Sequence, residues 1–471
     1  MSAGQRPGRG VALAFGIGAA SAGILTQGLT SLALLFYNQV VGLSPVAVGL
    51  ALMISLAFDA VWDPAIGLWS DNSRSRLGRR HPFMYAAVLP AGLFFWLLWT
   101  PPLGLSQSGS FAWLLTMLLA ARFFSSLYEV PSTALAPEIA ADYHARTGFL
   151  GLRYFWGTAA AVGMGVLAFQ VFLSDARGGV TNREGYAHYG LAGAVFIVLT
   201  LLASCLGSQR AAVAAAPESS APSMEFGALA AEVRAALTNG NFAAIMFASL
   251  FGAVASGLTT SLTTYFNLFL WGLSTDELSL LMLPGLAASA AGAAFSPIVG
   301  RRWGKKRSAV TLFVIATITS ALPMALRLLG VLPGNDWPGL VPLLFVEVTI
   351  ASTCMLMVMI LSTSMLADVV EDNAVRTGRR SEGLFFSVNG LLAKSVNGLG
   401  TLGAGFMLAA VGFPSSATPG QVDENVIHAL GAIYLPTAVV LTLLSLAALS
   451  RYRIDQATHE RNLDRLRGPP A

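Results

Sequence analysis

Twelve apolar stretches, each long enough to cross a bilayer as a helix, leave this 471-residue chain few folds to choose from. A spanning helix needs about 20 mostly apolar residues. Windows of that size fall at 11–41, 46–70, 82–101, 111–135, 149–173 and 190–207, then at 241–271, 276–299, 308–331, 341–370, 383–413 and 427–450. Charged residues make up 11% of the chain, against about 25% in a soluble domain. That scarcity excludes an ordinary cytosolic enzyme, a disordered chain and a nucleic-acid binder. The expected class is an all-α polytopic membrane protein. The first run begins beyond Arg6 and Arg9 and is too long for a cleavable signal, so it reads as a span.

The basic residues set the orientation. Of the 28 lysines and arginines, 22 lie on the two tails and on the even-numbered connections, while the connections near 101–110 and 414–426 have none. By the positive-inside rule both termini face the cytoplasm and the protein is multi-pass in the plasma (inner) membrane. A polar connection at 208–240, carrying Ser219, Ser220 and Pro222, separates an N-terminal six-helix bundle (1–207) from a C-terminal one (241–450), with a cytoplasmic tail at 451–471. The halves repeat. Tyr37-Asn38 leads to Gly42-Leu43-Ser44, and Phe266-Asn267 leads to Gly272-Leu273-Ser274; Arg76-Leu77-Gly78-Arg79-Arg80 is matched 226 positions later by Arg302-Trp303-Gly304-Lys305-Lys306. A parallel repeat of two six-helix bundles predicts the major facilitator fold, with a substrate cavity at mid-membrane.

Ionisable groups within spans cost at least a few kcal/mol and mark function. Asp59 and Asp63 stand at i,i+4 on one helical face of the second span. Two carboxylates so close resist double ionisation unless a cation lies between them, which suits either a proton or Na⁺. The competing structural reading is a pair of acids bonded to arginines across the bundle. The fourth span carries Arg122 and Glu129, and the fifth carries Arg153 beside Tyr154 and Trp156; Glu129 and Arg153 are placed to pair and to line the cavity. Lys394, about three turns into the eleventh span, is expected to reach towards the two acids. Arg76, Arg79 and Arg80 after the second span read as a gating latch. So does the mixed cluster Asp368, Glu371, Arg376, Arg379 and Arg380 after the tenth.

With these motifs in place, the chain resembles the glycoside–pentoside–hexuronide:cation symporters, a branch of the major facilitator superfamily that includes the melibiose carrier. The likeness rests on Asp59-x3-Asp63-Pro64-x2-Gly67 with Arg74-x-Arg76-x-Gly78, and on Ala367-Asp368-x5-Ala374-x2-Thr377-Gly378-x-Arg380-x-Glu382-Gly383 followed by Lys394. The resemblance implies a cation site at Asp59, Asp63 and Ser126, with Lys394 close by. It implies sugar contacts from Glu129 and Arg153, and a cytoplasmic gate that includes Asp368, Glu371 and Arg380. Three positions depart from the melibiose carrier: Trp62 replaces an amide between the two acids, the region Ser21–Ile24 lacks a sugar-binding acid, and Thr133 replaces an aromatic platform.

The expectation is therefore an H⁺- or Na⁺-coupled secondary transporter of a small organic solute, foremost a sugar or glycoside, working by alternating access and acting as a monomer. Tyr37, Tyr128, Trp156, Phe266 and Lys394 are expected to join Glu129 and Arg153 around the substrate. An amphipathic lipid- or sterol-like cargo is the alternative. No cofactor or nucleic-acid partner is expected: the chain has no Gly-rich phosphate loop followed by Lys-Ser/Thr. An enzyme is not expected either, since the five histidines are scattered singly without metal-ligand spacing and Cys205 and Cys354 lie inside apolar runs.

Overall fold

A computed structural model describes residues 8–139, 143–215, 239–377 and 382–467, and every regular element among them is helical. The helices are α1 Arg9–Val40, α2 Pro45–Asn72, α3 His81–Leu98, α4 Gln107–Ile139, α5 Tyr143–Leu167, α6 Arg183–Ala215, α7 Gly240–Tyr265, α8 Thr275–Trp303, α9 Lys305–Leu328, α10 Leu340–Thr377, α11 Glu382–Ala410, α12 Glu424–Ser450 and α13 Gln456–Arg467. Eleven of them are long and apolar enough to cross a membrane. The 29-residue α11, with Lys394, Asn397 and many glycines in its middle, supplies the twelfth of the expected series. Several helices outrun their apolar windows: α6 continues to Ala215 and α10 to Thr377. Backbone hydrogen bonding does not stop where hydropathy does. Leu89, Val61, Leu199, Phe295 and Ile318, all more than half exposed, give the helices an apolar outer surface suited to lipid.

Local chemistry sets the helix ends. Ser44 caps α2 through its Oγ, which accepts from the Ala47 N–H at 3.2 Å, and Pro45 occupies the first turn. Ser274 and Glu277 form a capping box at the start of α8. Gly304, at φ +80°, is the single residue between α8 and α9, a backbone state that L side chains avoid. The internal repeat is legible in the backbone. Both α1 and α7 end in a π turn, at Phe36–Val40 and Phe266–Leu270, and both lead to a left-handed glycine, Gly42 or Gly272, before the capping serine.

The chain packs into two compact units. One comprises Met1–Ser223, Thr260–Met282 and Ala404–Val422; the other comprises Met224–Thr259, Leu283–Gly403 and Asp423–Ala471. The units do not follow the two halves of the chain, because the arginine-poor ends of α7, α8 and α11 pack with the first-half helices. Within the first unit that end is closed by polar contacts. Gln39 donates to the Pro414 carbonyl at 3.1 Å and accepts from the Ala417 N–H at 2.6 Å. Tyr265 donates to Asn38 at 3.0 Å, and Gln170 to Ser279 at 2.6 Å.

Glycines mediate close helix crossings within both units. In the first, Gly23 of α1 lies against the Gly157 carbonyl of α5; in the second, Gly257 of α7 lies against the Asn397 carbonyl of α11, and Gly400 lies against the Val254 carbonyl. Small residues let backbones approach where lipid offers no hydrophobic drive. Gly257→Val is expected to destabilise the carrier by about 1–3 kcal/mol, read as a lowered unfolding midpoint in detergent. The same change at Gly163, which has open space around it, should be close to neutral.

Candidate functional site

The site is built on neighbouring faces of α2, α4 and α5 in the first unit. Asp59 is buried, and its Oδ2 accepts from Arg122 Nη1 at 2.8 Å. Asp59 thus has an arginine of its own chain as a partner. Asp63 follows one turn later on α2. Trp62 is turned aside, packed on Phe58 and edge-on to Phe123. On α4, Arg122, Ser126, Glu129 and Thr133 recur at i, i+4, i+7 and i+11, so they form one stripe of the helix.

Further along that stripe, Arg153 of α5 pairs with Glu129 Oε1. Arg153 also donates to Ser132 Oγ at 2.6 Å and Thr133 Oγ1 at 3.2 Å, and its guanidinium lies 5.1 Å from the centroid of the Phe15 ring. The partners differ in exposure: the Arg153 side chain is 7% exposed and that of Glu129 35%, so the arginine is the buried anchor of the pair. Two polar atoms here lack hydrogen-bond partners among the described residues, Glu129 Oε2 and Trp156 Nε1. One is an acceptor and the other a donor, and Trp156 lies one turn from Arg153.

Three aromatics expected around the substrate are buried in the packing of the first unit. Tyr128 is fully buried and donates to Ser204 Oγ of α6 at 2.7 Å. Tyr37 is fully buried with its hydroxyl on the Leu98 carbonyl at 2.6 Å, and Phe266 is buried in the π turn of α7. They stiffen the first unit, and Tyr128 lies within electrostatic reach of Arg153 and Glu129. Lys394 is exposed on α11 in the second unit, one turn before Asn397, which donates to the Ala253 carbonyl at 3.2 Å.

The latches recur in both halves. Arg79 and Arg80 pair with Glu138 at the end of α4, Arg80 at 3.2 Å, and Arg80 also reaches Asp71 at 2.9 Å. Lys305, the counterpart of Arg79, donates to Asp368 of α10 at 2.6 and 2.8 Å. Glu138 and Asp368 are 230 positions apart, in step with the sequence repeat. Lys306 caps the end of α12 through the Ser450 and Tyr452 carbonyls, both at 2.7 Å. Arg76 is exposed in the turn. Arg379 and Arg380 lie outside the described residues.

The second latch has a part without a counterpart in the first. α13 packs on α10 and brings His459 Nδ1 within 3.3 Å of Asp368 and 3.0 Å of Glu371. These three residues converge to within 4.8 Å, with the Lys305 ammonium already on Asp368. Burial pushes the Tyr452 phenol above its usual range, so it stays neutral and donates to Asp368 Oδ2 at 3.4 Å. Hydrogen bonds from Thr458 hold the Asp455 carboxyl below the ordinary carboxylate range, which keeps it charged as a cap at the start of α13.

Sequence reasoning passed over Glu138, Glu347 and the docking of His459. Glu347 stands inside α10 with Ser320 of α9 and Tyr434 of α12 beside it. Its signal was present as an acid within an apolar window. Glu138 and His459 had no such signal, since each lies at a polar helix end.

Comparison with known proteins adds four findings. Residues 14–456 match the family described as MFS/sugar transport protein. An uncharacterised symporter of Synechocystis sp. is 31% identical over 204 residues, 42% of this chain and only 37% of that relative's length. The isoprimeverose transporter of Lactiplantibacillus pentosus is 22% identical over 423 residues, 89% of this chain and 84% of its own. Among solved structures, a bacterial homologue of the human lysosomal transporter Spinster superposes with a TM-score of 0.71, at 17% identity, over 98% of this chain and 99% of that one. At that identity the likeness is one of fold.

Proposed function

Because the chain belongs to the MFS/sugar transport protein family, we propose that it is a cation-coupled secondary transporter of a sugar or glycoside in the plasma (inner) membrane. It has the helical major facilitator fold and is a transporter, not an enzyme. The coupling cation, H⁺ or Na⁺, is taken at Asp59 and Asp63 with Ser126 alongside. Substrate is held by Glu129, Arg153 and Trp156. Only the empty or fully loaded carrier changes its facing, because an unneutralised carboxylate is costly in a low-dielectric wall. The closed arginine-poor end and the arginine-rich latches are the two gates of this cycle. The carrier works as a monomer, with both termini cytoplasmic and no cofactor.

The observation that carries this reading is the Glu129–Arg153 pair, with Glu129 Oε2 buried and without a hydrogen-bond partner among the described residues. A buried acceptor left unsatisfied is costly, and a hydroxyl of the solute satisfies it. A fully charged pair suits a sugar better than an amphipathic cargo, whose apolar body would have to lie against it. Uptake into vesicles tests the reading, using a panel of glycosides, uronides and lysolipids under imposed H⁺ or Na⁺ gradients. Accumulation of a glycoside or uronide is the expected result. Accumulation of lysolipids alone would refute the substrate class.

A further inference from the structure

We propose that Arg122 is a cation built into the chain at Asp59, and that it makes this carrier respond to protons rather than to Na⁺. The inference rests on the reading of Asp59 and Asp63 as the coupling site, and it names the ion that site takes.

Arg122 and Asp59 meet at 2.8 Å with side chains 16% and 9% exposed, so the pair is shielded from water and its charges are felt at close range. A guanidinium does not deprotonate in proteins, so this positive charge is fixed across the whole working pH range. The Asp59 carboxylate therefore already has its counter-charge before any ion arrives.

Na⁺ meets a different situation. It requires several oxygens, and Asp59 Oδ2 is already an acceptor for Arg122 Nη1. A guanidinium about 4 Å from the ion also repels it, which at an effective dielectric near 20 weakens binding on the order of a thousandfold. The position of Arg122 adds to the case. It shares the α4 stripe with Ser126 and Glu129, one and two turns away, so the fixed charge lies on the element that carries the substrate acid. The same arginine thus selects the ion and ties the ion site to the sugar site.

The test uses the purified carrier without substrate, at constant ionic strength, with choline chloride replaced stepwise by NaCl. Radiolabelled Na⁺ binding and tryptophan fluorescence are followed. Wild type is expected to show no saturable response, and Arg122→Lys, which keeps the charge, is expected to behave the same. Arg122→Gln is expected to gain saturable Na⁺ binding, at least about a hundredfold tighter than any seen in wild type. Adding Asp59→Asn to that variant should abolish the gain. A merely structural role for Arg122 moves none of these ion-specific readouts. Saturable Na⁺ binding to wild type overturns the proposal, as does a folded Arg122→Gln carrier that gains none.

Should Arg122→Gln not fold, the wild-type titration decides by itself, together with substrate-driven proton uptake in reconstituted vesicles. Equal proton uptake in Na⁺ and choline media supports the proposal, and proton uptake abolished by Na⁺ refutes it. Because Na⁺ binding is read without substrate, its outcome is independent of whether the sugar panel succeeds.

Discussion

An Asp63→Asn carrier is expected to let its substrate equilibrate across a vesicle membrane and to accumulate none of it. One positive charge moved per cycle is worth about 2.3 kcal/mol per 100 mV, which corresponds to about 50-fold accumulation of a neutral substrate. With asparagine at position 63 one of the two coupling carboxylates is gone, so the ratio should fall to about one under the same potential while counterflow exchange persists. Asp59→Asn is expected to fail differently. It leaves the Arg122 guanidinium in a shielded site without its carboxylate, and breaking a buried pair on one side costs about 3–5 kcal/mol. The expected signs are low yield and a lowered unfolding midpoint, both recovered in the Asp59→Asn/Arg122→Gln double variant if the two residues act as a unit. Gradient-driven accumulation retained by Asp63→Asn would refute its place at the coupling site.

This asymmetry between two acids four residues apart marks the boundary of what the sequence makes legible. Span positions are readable because hydropathy needs no tertiary information, and the repeat is readable because both copies keep the same glycine turn and serine cap. Rotation about a helix is another matter. Arg122 is visibly inside the fourth span, but its partner depends on which way α4 turns against α2, and hydropathy does not report that. Tyr128 illustrates the point: it is next to Glu129 in sequence, yet one residue is about 100° of helical rotation, which carries its hydroxyl to Ser204 of α6. The docking of the tail escapes the sequence for a related reason. Residues 451–471 are polar and carry no hydropathy signal, while α13 packs on α10 and places His459 on the Asp368 latch. Glu138 and Asp368 become recognisable as equivalents only once their cationic partners, Arg79 and Lys305, are seen to occupy matching positions in the repeat.

The Glu129–Arg153 pair separates a substrate site from a structural salt bridge. Glu129→Gln keeps the shape of the side chain and removes its charge; losing a hydrogen bond to a charged group costs about 1.5–3 kcal/mol, so KM should rise about 10- to 150-fold. Arg153→Gln is expected to be worse for folding than for binding. It strips the counter-charge from Glu129 and leaves Ser132, which is fully buried, without its donor, a loss in the range of about 3–5 kcal/mol. The double variant decides between the roles. With no charge left to orphan, Glu129→Gln/Arg153→Gln should recover much of the stability lost in Arg153→Gln, because the two residues couple directly. A purely structural bridge would then recover transport in parallel. Recognition of substrate hydroxyls by the Glu129 carboxylate predicts the opposite: a folded double variant, normal in unfolding midpoint and in detergent behaviour, that still fails to take up the sugar.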